Sequence, residues 1–121
     1  MAKLSKSTGK KIQELIKEHQ SSDRIASDYW ADAEKCVENS VDEHLTRQQS
    51  NYWEVRSINA LIELWEEYNI NLSYEDKIEA LKERKEHRQR YDEVLDKQIE
   101  MAQERESKEM IEAVRGMEAV A

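Results

Sequence analysis

The most chemically versatile side chains here are three histidines, His19, His44 and His87, and one cysteine, Cys36. The histidines are far apart in sequence. None has Glu three residues before it, the spacing with which helical bundles build two-metal sites. Glu83 and His87 share a helix face at i, i+4, a spacing that surface pairs commonly occupy. Cys36 has only Lys35 beside it to favour a thiolate, and a lone cysteine forms neither an internal disulfide nor a thiolate metal cluster. The run Lys6-Ser7-Thr8-Gly9-Lys10-Lys11 lacks the first glycine of a phosphate loop, its hydroxyl after the lysine and its preceding strand. Catalysis therefore finds little support, and the expectation is a protein that is not an enzyme and takes no cofactor or metal.

Recognition finds more. Ser27-Asp28-Tyr29-Trp30 is echoed by Ser50-Asn51-Tyr52-Trp53. Adjacent residues lie about 100° apart on a helix, so one ring of each pair can face a core while the other faces outward. Aromatic side chains in such places are favoured interface anchors. Tyr29, Trp30, Tyr52 and Trp53 are thus candidate partner-binding residues. Acidic residues recur at i, i+4: Asp28 with Asp32, Glu34 with Glu38, and Glu38 with Asp42. Like charges at that spacing weaken a helix. A surface of Asp28, Asp32, Glu38 and Asp42 would suit a basic partner or imitate a phosphate backbone. Lys82 to Arg90 holds five basic and two acidic residues plus His87, a patch suited to an acidic partner or to solvent.

The balance of the whole chain limits the partners. Its 121 residues carry a formal charge of −8. Residues 1–20 carry five Lys against two Glu, residues 21–68 four basic against eleven acidic, and residues 69–121 ten basic against fourteen acidic. Direct nucleic-acid binding needs a basic surface and is not expected. No apolar run approaches membrane-spanning length and the first residues lack a leader's apolar segment. The expectation is a cytoplasmic protein with no membrane contact.

The elements that must position these residues are helices. The sequence has no Pro, no Phe and two Gly, and 38% of it is charged, with mean hydropathy −0.99. Sheets and turns normally need Gly, Pro and Asn-Gly signals, whereas residues that lose least on entering a helix dominate. The organising stretch is Asn51 to Tyr68, where Tyr52, Val55, Ile58, Leu61, Ile62 and Trp65 recur at helical steps. Trp53, Ala60 and Leu64 widen the stripe, so this helix must be buried against more than one neighbour.

The spacing predicts one all-α domain of long antiparallel, coiled-coil-like helices over residues 1–121, completed by oligomerisation. A short helix is expected over about 9–20, with Ser7 or Thr8 as its cap and a break at Ser21-Ser22-Asp23. A long helix follows over about 23–68, kinked or broken near 46–51, where TRQQSN has no apolar residue. Asn69 to Ser73 form a turn, with Ser73 and Asp76 as a capping box. A last long helix covers about 74–118, with a weak joint at Ser107. In a simple hairpin folded at Asn71 the apolar 52–60 would face the polar 82–90. The central helix therefore needs a further neighbour: the first helix, a second copy or a partner.

The expected function is that of a small inhibitor, adaptor or regulatory subunit that binds and occludes a partner protein with a basic surface. Phages and mobile elements encode many small acidic helical proteins of this type. The alternatives are an acidic nucleic-acid mimic that blocks a DNA- or RNA-binding enzyme, and an assembly protein that builds a homo-oligomer.

Overall fold

The computed structural model describes residues 5–73 and 77–120, with side chains as far as Glu118. It is all-α, and no strand occurs among the described residues. Helix α1 spans Lys6–Glu34, α2 Val41–Tyr68 and α3 Ile78–Val120. Helix α2 packs on both of the others, which do not touch each other among the described residues. The result is an open layer with α2 in the middle.

The helix boundaries differ from the expected ones in several places. Helix α1 begins at Ser5, whose Oγ accepts the Thr8 N–H at 3.1 Å, and it runs straight through Ser21-Ser22-Asp23. Ser22 is buried. Its small side chain lets α2 come close, so a residue that reads as a helix breaker is here a packing residue.

The first break falls instead at 35–40. Asn39 takes left-handed angles, with φ 61°. Ser40 caps α2, accepting the Glu43 N–H at 3.1 Å, and the Glu43 carboxylate accepts the Asn39 N–H at 3.2 Å. That reciprocal arrangement closely follows a capping box. Asp42 and Glu43 also place negative charge in the first turn of α2, where the helix dipole favours it.

Helix α2 runs unbroken through the polar run 46–51. The residues of this run are polar because they bond to neighbours. The Ser50 hydroxyl donates to the Ala26 carbonyl at 2.7 Å, and Asn51 Nδ2 donates to the Arg88 carbonyl at 2.7 Å. Ser107 is likewise no joint, since α3 continues through it to Val120. At the other turn Asn69 has φ 55°, and the Ile70 N–H reaches back to the Leu64 carbonyl at 3.0 Å. The Asn69 N–H donates to the Trp65 carbonyl at 3.0 Å, the five-to-one bond of a left-handed helix end. The expected helix start at Tyr74 and the Asp76 half of the Ser73 capping box lie outside the described residues.

The surface of α2 is divided between its neighbours. Ala60 and Leu64 pack with Ile12 and Leu15 of α1. Ile58 and Leu61 pack with Leu81 of α3. Leu72, in the turn, contacts both groups. This division is why the apolar 52–60 tolerates the polar 82–90 on one side, because its other side is covered by α1.

Towards the far end the α1–α2 contact consists of small residues. Ser22, Ala26 and Ala33 of α1, and Ser50 and Ser57 of α2, are all buried. Along α3, the partners of α2 fall in number as those on α2 rise: Glu106 with Val41, Asp96 with Gln48, Arg88 with Glu54 and Lys82 with Glu66.

Helix α3 outruns its support. Its 43 residues span about 64 Å, whereas the 28 of α2 span about 42 Å. The last tie to the start of α2 is the Val41 N–H donating to Glu106 at 3.2 Å, beside Arg105, which donates to the Asn39 carbonyl. Beyond it, residues 107–118 are all exposed.

Candidate functional site

Trp30 and the Tyr52–Trp53 pair lie on opposite sides of α2. Arg56 and Glu54 are two residues apart, hence about 200° apart around the helix, and the pair belongs to the first, Trp30 to the second. On the Arg56 side, the Tyr52 and Trp53 rings meet edge to face, with centroids 5.4 Å apart and planes at 83°. The Arg56 guanidinium lies 4.7 Å from the Trp53 centroid and 5.9 Å from that of Tyr52. Its Nε donates to Glu18 of α1 at 2.7 Å. That hydrogen bond holds the guanidinium above its usual pKa, so it stays charged over the rings. Tyr52 is 54% exposed, while Trp53 is half-buried.

On the Glu54 side, Trp30 lies under Arg47, with the guanidinium 4.3 Å from the ring centroid. Trp30, Asp23 and Ser27 of α1, Ser50 and Glu54 of α2 and Arg88 of α3 line a groove of about 350 Å³. Glu54 and Arg88 pair across it at 3.1 Å. Arg47 also approaches Glu43 at 3.6 Å, while its Nη1 is buried without a hydrogen-bond partner among the described residues, as is Asn51 Oδ1. Tyr29 is half-buried on α1.

The acidic residues do not form one helix face. Asp28 and Asp32 lie on α1, Glu38 in the connection and Asp42 in the first turn of α2, because the chain leaves the helix after Glu34. The Glu34–Glu38 and Glu38–Asp42 repeats are therefore not helical repeats. All four candidates are exposed, and none joins an ion pair among the described residues. Much of the basic patch at Lys82–Arg90 is engaged within the chain: Lys82 with Glu66 at 2.7 Å, Arg88 with Glu54 and Arg90 with Glu86. The Glu66 hydrogen bond raises the Lys82 pKa above its usual value.

Arg47 and Arg56 are the residues that the search for anchors missed. The signal was available for the second, since Tyr52 and Trp53 precede Arg56 by four and three residues, the spacings that meet on a helix. The Arg47–Trp30 contact joins two helices and has no such local sign.

Among the described residues, no group of three or more His, Cys, Asp or Glu is placed to hold a metal ion, and no helix is long and apolar enough to cross a membrane. The fold defines the chain as an all-α, three-helix protein. No protein-family model matches it, nor does any curated protein or solved structure.

Proposed function

We propose that the protein is a non-enzymatic interaction module: a small cytoplasmic inhibitor, adaptor or regulatory subunit that occludes a partner protein. The observation that carries this reading is the Tyr52–Trp53–Arg56 cluster, held from α1 by Glu18. Tyr, Trp and Arg are the residue types in which binding energy concentrates. Here the rings and the guanidinium restrain one another before a partner arrives, which lowers the ordering cost of binding. Trp30 under Arg47 supplies a second anchor on the opposite side. Tyr29, Asp28, Asp32, Glu38 and Asp42 complete the proposed contact set, the acids steering a basic partner. The scaffold is read as antiparallel and coiled-coil-like, completed by self-association.

A second reading, an acidic mimic of nucleic acid, draws on the exposure of Asp28, Asp32, Glu38 and Asp42 without ion pairs among the described residues. One experiment separates the two. The partner is captured from the native cell by affinity purification and identified by mass spectrometry, then its binding is measured against salt. An aromatic interface survives 0.5 M salt, where the Debye length is well below ~10 Å, and loses about 2 kcal/mol or more on Tyr52→Ala. Complete release at that salt, with Tyr52→Ala and Trp30→Ala tolerated, would overturn it in favour of the mimic.

A further inference from the structure

We infer that the overhanging end of α3, residues 107–118, is a self-association segment that pairs with the same segment of a second copy running in the opposite direction. The inference rests on the self-association part of the reading above and assigns it a surface. On α3, Leu95, Ile99 and Ala102 are buried and Glu106 is half-buried, forming the stripe turned towards α2. At steps of three and four residues the same stripe continues through Met110, Ala113 and Met117, with Val114 along its edge and Ile111 about 100° round the helix from Met110. Helix α2 begins level with Glu106, so the continuation has no neighbour among the described residues. Met110 is 70% exposed, Ile111 52%, Val114 48% and Met117 73%.

Three features point to a second copy as the occupant. First, the apolar positions are self-complementary when reversed: with the two-fold axis between Ala113 and Val114, Met110 faces the partner's Met117 and Ala113 faces the partner's Val114. Met110, Val114 and Met117 of each copy are then covered at once. Second, the segment is nearly balanced in charge. Lys108 and Arg115 stand against Glu109, Glu112 and Glu118, in a chain whose total is −8, so copies repel little here. Third, the reversed pairing brings the tip of one overhang beside residues 105–110 of the other. There Arg105 holds the 35–40 connection through Asn39, and that connection carries Val37, 78% exposed. Three large side chains from each copy make a small patch beside the ~1,200 Å² of a stable complex. The dimer is therefore reversible and depends on concentration.

The test uses the full chain in sedimentation equilibrium over a wide concentration range. The expected result is a monomer–dimer equilibrium whose dissociation constant rises about tenfold or more in the double variant Val114→Lys, Met117→Lys. Helicity should be unchanged, because neither residue supports α2, and Tyr52→Ala should leave the equilibrium alone. Orientation is read by oxidative cross-linking in a Cys36→Ser background. Met110→Cys mixed with Met117→Cys should cross-link, while neither cross-links with itself, since like positions lie about 10 Å apart along the axis. A dimer indifferent to the lysine pair overturns the assigned surface and leaves self-association standing. A chain that stays monomeric at hundreds of micromolar overturns both. Cross-linking of each variant with itself overturns the reversed pairing.

Discussion

Ser50 donates its hydroxyl hydrogen to the Ala26 carbonyl oxygen across the α1–α2 contact, at 2.7 Å. A hydroxyl reaches the backbone of another helix only when the two axes lie close, and both residues are buried. The contact therefore has two properties, a hydrogen bond and a small volume, which two substitutions can separate. Ser50→Ala loses only the bond and should cost about 0.5–1.5 kcal/mol. Ser50→Leu drives a large side chain between the helices and should cost more, about 1–3 kcal/mol. Urea titration with unchanged slope measures both, and equal midpoints for the two variants would contradict the close approach.

Ile58 and Trp53 lie in the same apolar stretch with different burial. Ile58 is 3% exposed and packs with Leu81 of α3, so Ile58→Ala should cost about 2–5 kcal/mol. Trp53 is half-buried beside Arg56. Trp53→Ala should cost less than Ile58→Ala despite removing more atoms. Thermal unfolding of the two variants tests the order.

The Lys82–Glu66 pair makes stability depend on alkaline pH. The hydrogen bond raises the folded-state pKa of Lys82. Its contribution is therefore fully present below the unfolded value of 10.5 and is lost as pH rises through the folded value. The melting temperature of wild type should approach that of Lys82→Met above that pH. A difference that stays constant from pH 8 to the alkaline limit would rule the contribution out.

Circular dichroism should give a helix content above three-quarters, since 88% of the described residues are helical. A Cβ at Gly116 would meet nothing within 4 Å. Gly116→Ala should therefore slow amide exchange in the last turns of α3, because Ala is favoured over Gly in a helix by roughly 0.5–1 kcal/mol. Unchanged exchange there would mean that those turns are not helical in solution.

The all-α class was legible in the composition, and so was the need of the 51–68 segment for more than one neighbour. The positions of the breaks were not. Ser22 and Ser50 have the chemistry of caps, and only the opposite helix makes them packing residues, so a polar gap such as 46–51 reads as a discontinuity until its acceptors on α1 and α3 are known. The true signal was Asn39-Ser40 followed by Glu43, obscured because the acidic repeats at 28–42 suggested one unbroken helix. Of the candidate contacts, the aromatic pairs were visible by type, but the separation of Trp30 from Tyr52 and Trp53 to opposite sides of α2 follows from which neighbour covers which face.

Among the described residues each helix packs only with its neighbour in the chain, α1 with α2 and α2 with α3. No distant segments must find each other before anything is gained, so the topology has low contact order and should fold on the microsecond-to-millisecond scale of helical bundles. The α1–α2 pair can assemble on the ribosome while α3 is still being made, with α3 then adding to a surface already formed. Loss of α3 contacts should in turn open the molecule in stages, as a detachable flank leaving a paired remainder.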